Sequence, residues 1–105
     1  MSDARETVLR YVPDADLDVV DSMAKTYRLV LSNRDAALVS ASDPEELKTV
    51  RENFLKKKLG LTDSDADLDK AIADVLAEMK DGKANPRLAV YYKLADKYGK
   101  LGVFK

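Results

Sequence analysis

The chain has 105 residues, a formal net charge of −1 and neither cysteine nor histidine. This composition excludes disulfides, thiolate metal sites, cysteine nucleophiles and imidazole acid–base chemistry. The charged amino terminus lacks the apolar region of a secretory signal, and no apolar run reaches the ~20 residues that span a bilayer. We therefore expect a cytoplasmic protein without membrane contact, folded as one helical domain over residues 1–105.

Apolar residues recur at helical spacing throughout, and no segment alternates steadily with a period of two. The sequence therefore predicts an all-α fold, a compact multihelical domain of about five to six helices. In chain order, helices are predicted over residues 4–12 and 16–31, followed by a short turn or helix over 35–41. Further helices are predicted over residues 44–59, 64–80 and 86–98, the last of them capped by Asn85 and closed by Gly99.

The helix over residues 44–59 carries the most complete start and stop signals. Asp43 can accept a hydrogen bond from the third helical residue, Pro44 suits the first position, and Glu45 and Glu46 lie at the positive end of the dipole. Lysines 56–58 meet the negative end, and Gly60 can adopt the left-handed conformation that closes the helix. These features explain the stretch structurally, including its lysines, without a phosphate site.

The helix over residues 86–98 has an apolar arc of roughly 200°, wider than one packing partner needs. Either this helix is the centre of the fold, covered by the chain itself and by the tail 101–104, or part of it faces a partner. The central-helix interpretation is favoured, because apolar surplus is usually absorbed by the core. The alternative gives a candidate interface of five residues, namely Val90, Tyr92, Leu94, Leu101 and Phe104.

Charge alternates in blocks along the chain. Residues 1–47 contain 5 basic (Lys or Arg) and 10 acidic (Asp or Glu) residues, and residues 48–61 contain 5 basic and 1 acidic residue. Residues 62–75 contain 1 basic and 5 acidic residues, and residues 76–105 contain 7 basic and 3 acidic residues. The block charges are therefore −5, +4, −4 and +4. Such alternation favours complementarity within the chain or in a dimer over a single basic face for nucleic acid.

Two local patterns suggest ligand sites but have simpler explanations. Residues 63–69 begin like a calcium loop, yet the sixth and twelfth positions are Leu68 and Asp74 instead of glycine and glutamate. They are better explained as the acidic first turn of a helix, so no metal site is predicted. Tyr91 and Tyr92 could stack on bases, but adjacent aromatics on a widely apolar helix are more often core.

Arg51 is the residue that local structure explains least. It falls between Leu47 and Leu55 on one ridge of the helix, inside the apolar arc. A structural role would be an ion pair with another helix, or a buried stem with the head in water. The functional alternative is a bound anion or a partner carboxylate, a site that Asn53 could join.

A family resemblance rests on the runs SDPEEL (42–47), NFL (53–55) and KKLGL (57–61), with Val50 between them. These runs resemble the signature of a small bacterial family of uncharacterised all-helical proteins, and the likeness extends over residues 35–98. The resemblance implies a multihelical fold and a bacterial cytosolic setting. It implies no activity, cofactor or functional residues.

The preferred function is a helical interaction module that binds a protein partner or a second copy of itself. Nucleic-acid binding through pooled lysines and arginines is the less favoured alternative, and an enzyme or small-ligand binder built around Arg51 ranks third. No catalytic residues and no cofactor are predicted, because no nucleophile–base pair is recognisable.

Overall fold

Helices dominate the fold, as the apolar spacing predicts. The computed structural model of the protein describes residues 3–31, 38–40, 43–79 and 84–104. A small antiparallel sheet accompanies the helices, so the all-α prediction is confirmed with this one addition. The elements are α1 (Asp3–Tyr11), α2 (Leu17–Thr26), α3 (Arg28–Leu31), β1 (Leu38–Ser40), α4 (Pro44–Thr49), a π-helical segment (Val50–Lys58), α5 (Asp65–Met79), β2 (Ala84–Pro86), α6 (Arg87–Lys97) and a 3₁₀ turn (Leu101–Phe104).

Helix α6 lies at the centre of the fold. Helices α1, α2 and α5, strand β1 and the 3₁₀ turn all pack against it. Val90, Leu94 and Ala95 are fully buried as a result. The wide apolar arc is thus covered from several sides by the chain itself, which is the first of the two interpretations offered by the sequence.

The predicted start and stop signals of α4 and its continuation form, but the capping hydrogen bond is shifted by one residue. The Asp43 carboxylate accepts from the backbone N–H of Glu45, the second helical residue instead of the third, at 3.0 Å. Gly60 closes the helical stretch with φ of +71°. The N–H of Leu61 then donates to the carbonyl of Leu55 at 3.1 Å, which completes the stop.

The prediction of a single helix over residues 16–31 is wrong, because the helix is interrupted at Tyr27. Asp16 caps α2, and the backbone leaves helical geometry at Tyr27, with φ of −105° and ψ of 22°. One residue earlier, the Thr26 hydroxyl donates to the carbonyl of Ser22 at 2.9 Å, a bond that tends to bend helices. The break coincides with packing of the Tyr27 ring against Tyr91.

The helix after Pro44 is α-helical only as far as Thr49. From Val50 it continues as a π-helix, in which the N–H of Leu59 donates to the carbonyl of Phe54, five residues back, at 2.9 Å. A π turn is wider than the 3.6 residues of an α turn. Val50, Phe54, Leu55 and Leu59 are separated by four, one and four residues, a spacing that does not follow the period of an α-helix. The wider turn allows all four to be buried.

Strands β1 and β2 correct two predictions. They pair antiparallel with Val39 opposite Asn85, so residues 38–40 are a strand instead of part of a turn or helix over 35–41. The remainder of that prediction, residues 35–37 and 41, lies outside the described residues. Asn85 belongs to β2 and does not cap α6, since Pro86 occupies the cap position without a side-chain bond. Gly99 ends the α6 region with φ of +66°, as predicted.

Candidate functional site

A surface hollow of about 400 Å³ lies between α4 and α5, next to Arg51. Its floor is apolar, formed by half-buried Leu47 and buried Ile72. Its rim combines apolar and charged side chains from α4, the π-helical segment and α5, and all of them except Arg51 are exposed. The rim residues are Pro44, Lys48, Arg51, Asp69 and Ala73.

Arg51 is held in place by carboxylates of its own chain. Its Nη1 donates to both carboxylate oxygens of Asp69 at 3.1 Å, and its Nε donates to Glu52 Oε2 at 2.8 Å. The hydrogen bonds to Glu52 and to Asp69 raise the pKa of Arg51 above its usual value. The ion pair to another helix, which the sequence offered as the structural role of Arg51, is therefore present. Its side chain is 17% exposed at the edge of the hollow.

Lys56 extends these ion pairs along the helices. Its Nζ lies 2.6 Å from Asp65 Oδ1 and 3.0 Å from Glu52 Oε2. The hydrogen bond from Lys56 lowers the pKa of Asp65, and bonds from Arg51 and then Lys56 lower the pKa of Glu52. These five side chains, which we call the ion-pair cluster, are Arg51, Glu52, Lys56, Asp65 and Asp69.

Asn53 does not join Arg51 in a shared site. It is exposed on the π-helical segment, and it is not among the residues that line the hollow. The structure therefore brings Arg51 together with carboxylates of the π-helical segment and of α5, and it leaves Asn53 apart from them.

Most of the candidate interface predicted on α6 and in the tail is buried by the chain itself. Val90 and Leu94 are fully buried, and Tyr92 and Phe104 are 3% and 4% exposed. The Tyr92 hydroxyl accepts from the backbone N–H of Asp16 at 2.7 Å, which ties α6 to the start of α2. Leu101 is half-buried against the core. Four of the five residues are thus unavailable as a surface of this chain.

Phe104 is buried because it belongs to a cluster of four aromatic rings. The rings of Phe54 and Tyr91 stack with their centroids 3.9 Å apart and their planes 10° apart. Tyr27 meets the edge of Tyr91 at 5.1 Å, and Phe104 lies 6.3 Å from both Phe54 and Tyr27. Lys58 Nζ covers the Phe104 ring at 5.2 Å. These four rings join the residue that follows α2 to the π-helical segment, α6 and the 3₁₀ turn.

Sequence reasoning missed the most deeply buried cation among the described residues, Arg87. Its guanidinium forms an ion pair with Glu46 of α4, and its Nη1 donates to the Tyr91 hydroxyl at 2.9 Å. Burial disfavours the charged form, but Tyr91 and Glu46 outweigh burial and raise the pKa of Arg87. The sequence does carry a signal for the contact between Arg87 and Tyr91. The two residues are four positions apart, so they lie on the same face of α6, and Tyr91 places that face in the core.

Two other hollows are less suited to a partner. One, of about 240 Å³ between the end of α1, α5 and α6, is lined by five charged side chains and crossed by the ion pair between Lys93 and Glu78 at 3.1 Å. The other, of about 320 Å³, is formed by the consecutive residues 25–29 at the corner between α2 and α3. The hollow at Arg51 differs from both because it has an apolar floor supplied by two helices.

Within the described ranges, no helix is long and apolar enough to cross a membrane. The same residues contain no group of carboxylates arranged to hold a metal ion.

Comparison with protein families gives a match over residues 3–102 to the family described as protein of unknown function (DUF2853). The chain belongs to this family. A search of curated proteins found no match. Family membership confirms the resemblance to a domain of unknown function. It assigns no function to this DUF2853 member, so the surface of the protein is the remaining source of evidence.

Proposed function

We propose that this DUF2853 protein is a helical interaction module that binds a protein partner in the hollow between α4 and α5. The observation that supports this proposal is the largely apolar lining of the hollow, in which half-buried Leu47 and exposed Pro44 and Ala73 are accessible while Ile72 is buried. An amphipathic surface that presents one or two apolar side chains would fit such a shape. A bacterial, cytoplasmic setting remains part of the proposal.

The pairing of Arg51 favours a protein partner over a small anion. Its guanidinium is already paired with Asp69 and Glu52, so an incoming anion would have to displace one of these carboxylates. A protein surface can instead use the apolar floor and leave these ion pairs in place. For the same reason, a small-ligand binder or an enzyme at this hollow is less favoured than an interaction module.

Nucleic acid is the less favoured partner because several basic side chains are already paired within the chain. Arg51, Lys56, Arg87 and Lys93 each form an ion pair with a carboxylate of the chain. Nucleic-acid binding depends on basic side chains that are free to neutralise phosphates.

The test uses two alanines of α5 that are both exposed. Ala73 lies on the rim of the hollow, whereas Ala77, one turn later, does not line it. The tagged wild type and its A73E and A77E variants are used to recover bound proteins, which are quantified by mass spectrometry. We expect a protein that is retained by the wild type and A77E and lost by A73E. Equal recovery by all three would contradict the proposal.

A further inference from the structure

We infer that the protein also binds the surface of an anionic membrane, through a patch that we call the basic face. The basic face is formed by residues 25–29, 57–58 and 100–103. It shares no residue with the hollow between α4 and α5, so it would provide a function beyond the proposed one.

Phe104 brings the three segments of the basic face together. Its ring lies 6.3 Å from the ring of Tyr27, and Lys58 Nζ lies 5.2 Å from its centroid. Lys100 begins the turn that carries Phe104, and its carbonyl accepts from the N–H of Val103 at 3.0 Å. Segments that are far apart in the sequence therefore meet around one ring.

The segments that meet there carry cations and no carboxylates. Residues 24–31, 53–62 and 98–104 contain neither Asp nor Glu. Within the part of the chain that the structure describes, five of their cations form no ion pair, namely Lys25, Arg28, Lys57, Lys58 and Lys100. The basic face therefore has a single sign of charge.

Four described carboxylates border these segments in the sequence, and they do not neutralise the basic face. Asp21 is paired with Arg5, and Glu52 belongs to the ion-pair cluster. Asp63 and Asp96 are exposed just outside the segments. Even when both are counted against the five cations, a charge of +3 remains.

Two exposed aliphatic side chains accompany these cations. Leu29 is 82% exposed and Val103 is 42% exposed. The hollow beside Leu29 is formed by consecutive residues, 25–29, so it is a corner of the surface and not a groove for a peptide.

Cations around exposed aliphatic side chains match the interface of an anionic bilayer. Lipid headgroups attract lysine and arginine, and the adjoining acyl region accepts leucine and valine. The phosphate backbone of a nucleic acid would attract the same cations but leave Leu29 in water. The sequence predicts no membrane contact because it lacks a spanning segment, but a peripheral contact needs none.

Sedimentation with vesicles tests the charge requirement. The vesicles contain phosphatidylcholine with or without phosphatidylserine, and the proteins are the wild type, K25E/R28E and K48E/K70E. The last variant makes the same charge change at exposed lysines outside the basic face. We expect binding only to vesicles with phosphatidylserine, weakened by salt. The partition coefficient should fall about tenfold or more in K25E/R28E and stay within about twofold in K48E/K70E.

Tryptophan emission tests whether the aliphatic side chain enters the bilayer. The chain has no tryptophan, so L29W introduces a single reporter on the basic face. L38W is the matched control, because Leu38 of β1 is 43% exposed and lies outside the basic face. We expect the emission of L29W to shift to shorter wavelength when vesicles with phosphatidylserine are added, and that of L38W to stay unchanged.

Three results would overturn the inference. They are a wild type that does not bind vesicles with phosphatidylserine, an equal loss of binding in the two double variants, and binding of L29W without a shift in its emission. A labelled oligonucleotide is added in a parallel titration. If the wild type binds it and does not bind the vesicles, the basic face serves a nucleic acid and the membrane is ruled out.

Discussion

Arg51 of the π-helical segment donates from one guanidinium nitrogen to both carboxylate oxygens of Asp69 in α5, at 3.1 Å each. Together with the ion pair between Lys56 and Asp65, this contact joins the π-helical segment to α5, and the order of the two pairs shows that these helices run antiparallel. A cation that sequence analysis singled out as a candidate anion contact therefore acts first as a structural link. The link does not cover the apolar floor of the hollow, which lies beside it.

The ion-pair cluster should make stability depend on acid pH. Arg51 and Lys56 lower the pKa of Glu52 below its ordinary value of 4.5, and Lys56 lowers that of Asp65 below 3.8. Because the unfolded chain binds these protons first, the stabilisation is complete above the ordinary values and is lost as pH falls through the lowered ones. We expect the urea midpoint to fall progressively below about pH 5.

The variant K56M isolates the contribution of Lys56 to this pH dependence. It removes the hydrogen bonds to Glu52 and Asp65, so its urea midpoint should fall less steeply with acid than that of the wild type. K57M, at the exposed neighbouring lysine, serves as the matched control and should follow the wild type. Parallel acid profiles for all three proteins would show that the cluster does not act in this way.

The buried pair between Glu46 and Arg87 should be the most sensitive ionic contact among the described residues. Glu46→Ala removes a carboxylate from a guanidinium whose side chain is only 6% exposed, so the charge loses a buried partner. We expect a loss of about 2–3 kcal/mol in the free energy of unfolding, measured with urea. Glu45→Ala, at the exposed neighbour in the same helical turn, should cost about 0.5 kcal/mol. Similar losses for the two variants would argue against the pair.

The aromatic rings should make stability depend on alkaline pH. Burial raises the pKa of Tyr27, with the neighbouring Tyr91 adding to the effect, and burial also raises the pKa of Tyr91. The folded chain therefore keeps protons that the unfolded chain releases near pH 10, so stability is complete below that pH and falls above it.

The variant Y27F removes one of these protons. The unfolding free energy of the wild type should decline above about pH 10, and that of Y27F should decline less steeply over the same range. Comparing slopes instead of absolute values removes any constant effect of the substitution, which is measured separately at pH 7. Identical slopes would mean that the Tyr27 hydroxyl is not protected by folding.

Local chemistry explains which parts of the fold were predictable. The beginning of α4 at Asp43 and Pro44, and the positive φ of Gly60 and Gly99, follow from residues within a few positions of each helix end. The central position of α6 followed from the width of its apolar arc. These features depend on neighbours in the sequence, so the sequence carries them directly.

The features that were missed depend on contacts between distant residues. The break at Tyr27 accompanies a ring contact with Tyr91, and the pairing of Arg87 with Glu46 spans 41 residues. The π turns bury Phe54 and Leu59 at a spacing that a 3.6-residue period cannot detect. Strand β1 has three residues, too few for a period of two to be recognised. The hollow arises only when α5 packs against the π-helical segment beside α4, so the sequence marked Arg51 at its rim but not the hollow itself.

The proposal that the hollow binds a protein is tested most directly by a photo-reactive amino acid placed at position 73, on its rim, and at position 77, one turn away. The chain is irradiated in the cells that express it naturally, and adducts are measured by mass. We expect a discrete protein adduct from position 73 that is absent or much weaker from position 77. No adduct from position 73, or equal adducts from both positions, would contradict it.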